Sequence, residues 1–269
     1  MMGKVGLLLL ALFACPVLAD VVRVDGLNFD KVQVLGNVEV EIIQGESYEL
    51  TIRGNADDLA IEPFEMTGDG LVLGYSREYP DRTFRGLKYR VQAPTLDAII
   101  LLGPGMVYVR PIETSELVLN HMGSGTLRLF DIRTGQLDIT AAGSGNIEAP
   151  LLSAEDFALA ITGSGDIHFG HLDVQSLDLN IVGSGDVSLQ EGSSAQWALV
   201  DVAGSGDANF SKLSVQDIQI TIIGSGNVSI GQAEMLDASI FGSGDISYTG
   251  SARIEQVIIG SGALIKRKH

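Results

Sequence analysis

An acidic or amide residue follows a Gly-Ser-Gly tripeptide at regular intervals and could place oxygen ligands at one position of a repeated turn. The six positions are Asn146, Asp166, Asp186, Asp207, Asn227 and Asp245. A stack of such side chains could bind calcium. However, Asp and Asn side chains also hydrogen-bond the backbone of their own turns, and calcium-binding β-rolls use a nine-residue repeat that this chain lacks. We therefore expect a structural turn ladder and no metal site.

Residues 75–90 have the most unusual local composition and are the best candidates for ligand binding. They hold five of the 17 basic residues of the chain, together with four aromatic residues. Arginine beside aromatic rings suits glycans or anionic ligands, through stacking and bidentate hydrogen bonds. The predicted ligand-binding residues are Arg77, Tyr79, Arg82, Phe84, Arg85 and Tyr89. In the alternative interpretation, the rings pack on neighbouring strands and the arginines pair with acidic residues. Trp197, the single tryptophan, is a second candidate stacking surface.

Side chains suited to catalysis do not form a convincing set. A polysaccharide lyase or hydrolase needs clustered acids, usually with a basic helper or a metal. Asp138, Asp178 and Asp201 occupy similar positions of different repeats, but no basic residue lies near them in the sequence. His168 and His171 are three residues apart, but no third metal ligand is evident. We predict no catalytic residues and no cofactor.

The elements that position these residues are defined by a repeat of about 20 residues. Gly-Ser-Gly begins at Gly123, Gly143, Gly163, Gly183, Gly204, Gly224, Gly242 and Gly260, and a relative begins at Gly103. Such a period indicates one supersecondary unit stacked many times. Within each repeat apolar residues take every second place, as at Ile218, Ile220 and Ile222, which is typical of strands with one buried face.

Stacking strands of successive repeats would join their apolar faces into one core, so the sequence predicts an all-β, right-handed parallel β-helix. Residues 103–265 form this β-helix, and residues 20–102 form an irregular N-terminal β cap with the first coils. Residues 266–269 are a basic tail. His121 is the polar exception at an inward-facing position. We expect it in the core or cap with its hydrogen bonds satisfied.

Residues 1–19 are typical of a secretory signal peptide, with a positive charge, an apolar stretch and small residues before Asp20. The stretch is too short to span a bilayer as a stable helix, and we expect no transmembrane segment in the mature chain. Such a peptide would direct export to the periplasm or the cell surface, and we expect its cleavage after Ala19. In the alternative, Cys15 becomes the lipidated first residue of a lipoprotein.

The net charge of the chain argues against nucleic acid as a partner. The formal net charge is −17, whereas nucleic-acid binding depends on cationic contacts. We therefore expect no nucleic-acid partner. Acidity of this kind also keeps a long rod soluble.

Several segments together resemble one bacterial family, the auto-transporter adhesin head GIN domain. They are Phe29–Val32, Val40–Glu46, Pro94–Leu96 and the repeated Gly-Ser-Gly-Asp/Asn-Val/Ile. The resemblance implies a secreted β-helical fold, an adhesive role and no established catalytic residues. We expect a non-enzymatic envelope or cell-surface protein that binds or scaffolds through a rigid β-solenoid, with a glycan or an envelope or surface protein as partner. A polysaccharide-active β-helix enzyme is the alternative.

Overall fold

The computed structural model describes residues 20–268. The predicted signal peptide, with Cys15, and the final residue of the basic tail lie outside the described residues. Strands make up 71% of the structure and helix only 2%, so the predicted all-β class is confirmed. Within residues 20–268 no helix has the length and hydrophobicity needed to cross a bilayer.

The N-terminal part of the chain, which comprises the cap and the first coil, combines antiparallel and parallel pairing. Its elements are β1 (Asp20–Val24), β2 (Lys31–Leu35), β3 (Asn37–Gln44), β4 (Glu49–Gly54), α1 (Ala56–Leu59), β5 (Phe64–Thr67), β6 (Gly70–Leu73) and β7 (Arg85–Ala93). Strand β4 pairs antiparallel with both β1 and β7, and β5 and β6 form an antiparallel hairpin. Strands β2 and β3 form the first coil, and we call the other elements the cap.

The remaining strands build the stacked coils. They are β8 (Ala98–Leu102), β9 (Met106–Val109), β10 (Ile112–Gly123), β11 (Thr126–Leu129), β12 (Asp131–Gly143), β13 (Asn146–Gly163), β14 (Ile167–Gly183), β15 (Val187–Leu189), β16 (Ser193–Gly204), β17 (Ala208–Gly224), β18 (Val228–Gly242), β19 (Ile246–Thr249), β20 (Arg253–Gly260) and β21 (Leu264–Lys266). Successive coils pair in parallel and in register, for example Leu137 with Phe157 and Phe157 with Leu177. The parallel β-solenoid is confirmed and has about 8 turns.

The first coil of the chain does not lie at the end of the stack, because cap strands cover it on one side. Strand β2 lies between β6 and β8, and β3 lies between β7 and β9, with parallel pairing throughout. The chain therefore makes one coil, leaves the stack after Gln44 to build the cap, and returns beneath that coil at Ala98. This arrangement brings strands from distant parts of the sequence together on one outer face.

The inward-facing positions of the coils form one continuous apolar core. The predicted columns, such as Ile147 beside Ile167, are buried except in the last coil, where Ile258 is 36% exposed. Phe157 and Phe169 meet edge to face at 5.6 Å inside the solenoid, a favourable arrangement of two aromatic rings. Because every coil shares this core with its neighbours, the outer surface is held as a rigid framework.

Candidate functional site

A cleft with a volume of about 390 Å³ lies where the cap joins the first coils, and it is the best candidate for a binding site. Four strands that are distant in the sequence supply its walls. Strand β3 gives Glu39 and Glu41, β4 gives Thr51 and Arg53, β7 gives Lys88, Tyr89 and Arg90, and β9 gives Tyr108. Arg110 and Phe130 complete the lining. We call this set of residues the cationic cleft.

Three of the four cations in the cleft form ion pairs with its two glutamates. Lys88 Nζ donates to Glu39 at 2.8 Å, and this hydrogen bond raises the pKa of Lys88. Arg110 Nε donates to one oxygen of Glu41 at 2.7 Å, and Arg90 lies 3.7 Å from the other. Glu41 therefore lies between two arginines, and the cleft keeps a local excess of positive charge.

Arg53 contributes to this excess of positive charge, and it lies directly opposite another cation. In the antiparallel ladder of β4 and β7, Arg53 faces Lys88, and both side chains line the cleft. Like charges directly opposite each other in a sheet are destabilising. An anion placed between Arg53, Lys88 and Arg90 would relieve this repulsion.

Aromatic rings border the cations on the solenoid side. Tyr108 pairs with Glu41 on one side and with Arg128 on the other. The Arg110 guanidinium lies 4.5 Å from the centre of the Phe130 ring, and Arg128 lies 5.4 Å from it. Both rings are half-buried. A cation over an aromatic ring is favourable and holds Arg110 in place.

The sequence-predicted arginines of segment 75–90 do not meet in one site. Arg77 pairs with Glu65, and Arg82 donates to the buried Asp58 through Nη2 at 2.5 Å. Arg85 is exposed at the start of β7. This pairing with acidic residues is what the alternative interpretation of the segment describes.

The aromatic residues of the same segment are divided between surface and core. Tyr79 is exposed, whereas Phe84 and Tyr89 are each only 2% exposed. The Tyr89 hydroxyl donates to the Pro63 carbonyl at 2.8 Å and accepts from the Gly74 amide at 3.2 Å, and burial raises its pKa. Phe84 and Tyr89 therefore hold the cap together and present no open ring face, contrary to the ligand-stacking role predicted for them.

Sequence reasoning missed most of the cleft. Its cations are spread from Arg53 to Arg110, and only Lys88 and Arg90 fall in the segment that was singled out. A weak signal is present, since several outward positions of β4, β7 and β9 carry basic or aromatic residues in an acidic chain. That signal is readable only once the strand order is known.

Comparison with known proteins decides the family. The family described as "Putative auto-transporter adhesin, head GIN domain" matches residues 28–150 and 149–252. The chain belongs to the head GIN domain family. The resemblance predicted from the sequence is thus confirmed. No curated protein matches the chain.

Three solved structures share the fold of this head GIN domain protein. One is a "putative lipid binding protein" from Parabacteroides distasonis, with 19% identity and a TM-score of 0.67 over 93% of this chain and 97% of that one. A "putative adhesin" from Parabacteroides merdae has 16% identity and a TM-score of 0.70, with the same coverage. A "putative adhesin" from Parabacteroides distasonis has 16% identity and a TM-score of 0.66, over 92% and 96%. At these identities the likeness shows the fold alone.

The Asp and Asn residues after the glycine turns of the head GIN domain form a hydrogen-bonded ladder. The side-chain oxygen of each accepts from the backbone amide of its counterpart in the next coil. Asp186 accepts from Asp207 N at 2.8 Å, Asp207 from Asn227 N at 2.7 Å, and Asn227 from Asp245 N at 3.0 Å. Asn146 and Asp166 make longer bonds of the same kind, each 3.3 Å.

We expect Asp207→Ala to lower the free energy of unfolding by about 1–3 kcal/mol, the usual net value of two hydrogen bonds, because Asp207 Oδ1 accepts from both the backbone nitrogen and the Nδ2 of Asn227. The change removes the acceptor of the Asn227 amide, which water can reach because the turn is exposed. Asp207→Asn keeps the acceptor and should be close to neutral. Urea unfolding of both variants measures this, with the exposed Asp178→Ala as control. Equal midpoints for Asp207→Ala and Asp178→Ala would argue against a stabilising ladder.

Three other candidate side chains of the head GIN domain make hydrogen bonds. His168 Nδ1 lies 2.7 Å from Ser188 Oγ, and His171 Nδ1 donates to the Gly192 carbonyl at 2.6 Å. Asp138 accepts from Gln136 at 3.1 Å. Among residues 20–268, no three His, Cys, Asp or Glu side chains are grouped so as to hold a metal ion.

His121 is buried inside the solenoid of the head GIN domain, at 1% exposure. Contrary to the expectation of satisfied hydrogen bonds, its Nε2 has no partner within the described part of the chain. Burial lowers the pKa of His121, although a hydrogen bond with the Gly125 backbone acts in the opposite direction. Gly145 makes room for the ring, because a side chain at position 145 would overlap it.

This histidine gives the fold a specific pH dependence. The pKa of His121 is lower in the folded chain than the value of 6.5 for an unperturbed histidine. As the pH falls below about 6.5, the unfolded chain therefore takes up a proton that the folded chain does not, and stability is lost by at most about 1.4 kcal/mol per pH unit. His121→Leu should remove this contribution. Urea unfolding of both proteins between pH 7.5 and 5 tests it, and parallel pH profiles would contradict it.

Proposed function

We propose that this head GIN domain protein is an exported, non-enzymatic binding protein of the bacterial envelope or cell surface, and that it holds an acidic glycan in the cationic cleft. The observation that supports this most directly is the excess of positive charge in the cleft of a protein with a net charge of −17. An acidic chain gains nothing in solubility from a local group of cations. Placing them around one cleft is, by contrast, a simple way to attract an anion.

The composition of the cleft favours an acidic sugar over a bare anion. Arginine offers paired donors with a geometry that matches carboxylate and sulfate groups. Tyr108 and Phe130 add half-buried rings beside these donors, and such rings suit the apolar face of a sugar. A ligand with a charged group attached to a ring would use both features at once.

The arrangement of the acids supports binding over catalysis. A general base needs a carboxylate that is free to take a proton within reach of the substrate. Both oxygens of Glu41 face arginines, and Glu39 accepts from Lys88. These glutamates hold the cations in position, which suits a preformed binding surface.

The description of one structural neighbour as lipid binding suggests a competing ligand for the cleft, the phosphate of a lipid headgroup. We favour a glycan because the cleft combines rings with cations at the edge of an otherwise acidic rod. A membrane surface rich in anionic lipid would be repelled by most of that rod.

The test is a binding and turnover panel on the mature chain. Polygalacturonate and chondroitin sulfate are the acidic probes, dextran is the neutral control, and phosphatidylglycerol vesicles represent lipid. We expect saturable binding of an acidic glycan that weakens between 50 and 200 mM NaCl, because salt screens exposed charges, with no release of reducing or unsaturated ends. Turnover would establish the enzyme alternative. Binding to vesicles alone would refute the glycan assignment.

A further inference from the structure

A second depression runs along the solenoid axis and shares no lining residue with the cationic cleft. It consists of two adjoining cavities of about 610 and 510 Å³, which have Ala195 and Gln216 in common. Their linings extend from Glu113 to Ser251, so the depression crosses successive coils over about 30 Å at the usual strand spacing. We call it the longitudinal groove.

The middle of the longitudinal groove is lined by a row of amide side chains. Gln175, Gln196 and Gln216 occupy equivalent positions in three successive coils, as the pairing of the flanking residues shows. All three are exposed, and their side chains make no hydrogen bond to any other group in residues 20–268. Each amide offers both donors and an acceptor. The row therefore repeats the same unused hydrogen-bonding groups once per coil.

Acidic side chains bound the amide row at both ends. Glu155 and Glu234 occupy the equivalent position in the coils immediately before and after it, and both line the groove. Asp173, beside the row, accepts a hydrogen bond of 2.5 Å from Ser194 Oγ. Arg133, the basic residue of the lining, lies two coils before the amide row. In a protein as acidic as this one, a surface without a local excess of cations does not attract anionic polymers. An uncharged ligand is the better match.

The only tryptophan of the chain is the neighbour of Gln196 in the sequence and lies just outside the residues that line the two cavities. Trp197 follows Gln196 directly and is paired in the sheet with Ser176 on one side and Asp217 on the other. Its side chain is 41% exposed, which leaves a large apolar surface in water between small or polar neighbours. An exposed indole beside free amides is the combination that recognises a sugar ring, since the ring presents both an apolar face and hydroxyl groups.

We propose that the longitudinal groove binds an extended, uncharged polysaccharide that runs along the solenoid axis, with one sugar ring stacked on Trp197. The coil spacing of about 4.8 Å is close to the length of one sugar in an extended chain. The same contacts can therefore repeat from one sugar to the next. This ligand differs in charge from the proposed ligand of the cationic cleft, so the two sites can be tested separately.

Because the mature chain contains a single tryptophan, its fluorescence reports on this site alone. The probes are cello-, laminari- and manno-oligosaccharides of two to eight sugars, titrated into the mature protein at 50 and 200 mM NaCl. We expect one series to shift the emission and to protect Trp197 from acrylamide quenching. Its affinity should rise with each added sugar and be the same at both salt concentrations. A panel without any such series would overturn the proposal.

Variants locate the binding. We expect Gln196→Ala to weaken binding of the active series about tenfold and Trp197→Ala to abolish it in calorimetry, whereas Trp197→Phe retains part of it. Gln219→Ala removes an exposed amide outside the groove lining and should have no effect. Binding that is insensitive to Gln196→Ala and Trp197→Ala would refute the assignment. The two proposals are independent: if the cationic cleft binds no acidic glycan, binding of the uncharged oligosaccharide to the longitudinal groove is still expected.

Discussion

Replacing Gly204 with alanine is expected to lower the melting temperature by about 10 °C or more, since it should cost more than about 4 kcal/mol. Gly204 has φ +133°, and a Cβ atom there would overlap the carbonyl oxygen of Gly183 in the preceding coil. Backbone strain of this type costs about 1–3 kcal/mol by itself.

The neighbouring backbone cannot move aside without losing further bonds. The Gly183 carbonyl oxygen accepts from Ser205 N at 2.9 Å and from Gly206 N at 3.2 Å. The atom that the new side chain would displace is therefore the one that holds the next turn in place. Because the corners stack directly on one another, a shift at one corner is passed to the following coil.

Gly192→Ala is the matched control for this experiment. No atom lies within 4 Å of a Cβ at position 192, and the backbone there is not in the left-handed region. The control should change stability by at most about 1 kcal/mol. Thermal unfolding followed by circular dichroism compares the two variants, and similar melting temperatures would show that the glycine corner is not a strict requirement.

The second large effect concerns binding and not folding. We expect Arg53→Gln together with Arg90→Gln to weaken binding of the acidic glycan about 100-fold. Each charge-assisted hydrogen bond contributes about 1.5 kcal/mol, and about 1.4 kcal/mol corresponds to a tenfold change in affinity. The change removes the longer pair of Arg90 with Glu41 but leaves the hydrogen-bonded pairs of Lys88 with Glu39 and of Arg110 with Glu41.

The same double variant should melt at an unchanged or slightly higher temperature. It removes the repulsion between Arg53 and Lys88, which face each other across β4 and β7. Arg77→Gln with Arg85→Gln is the matched control, because it removes two exposed charges of the cap that do not line the cleft. Calorimetric titration measures both. Equal affinities for the two double variants would show that net charge, and not the cleft, governs binding.

Much of the fold could be predicted from the sequence, because each repeat spans only about 20 residues and packs against the repeats next to it. A period of about 20 residues, with apolar residues at alternate places, requires strands that stack on copies of themselves, and Ile147 and Ile167 accordingly share one buried column. The same period places Asp186 and Asp207 one above the other, so the exchange of hydrogen bonds between coils could be expected before the distances were known.

The cap and the cleft could not be derived in this way. No repeat relates β2 and β3 to β6 and β7, and nothing local indicates that β2 and β3 lie between the cap and the following coils. Pairing between Glu41 and Arg90, or Glu41 and Tyr108, joins residues about 50 to 70 positions apart. Such contacts depend on the folding free energy of the whole cap. Burial of Phe84 and Tyr89 contributes to it, because removing apolar surface from water is favourable.

The sequence by itself thus determined the solenoid, its apolar columns and its turn ladder. Each coil packs against a copy of the same pattern, so one repeat is enough to predict which residues become neighbours. Only the tertiary structure decided which cations meet. Arg53, Arg90 and Arg110 come together because a coil is inserted between cap and solenoid, and strand pairing across that insertion sets which outward side chains become neighbours. Outward positions carry no burial pattern that could have revealed this.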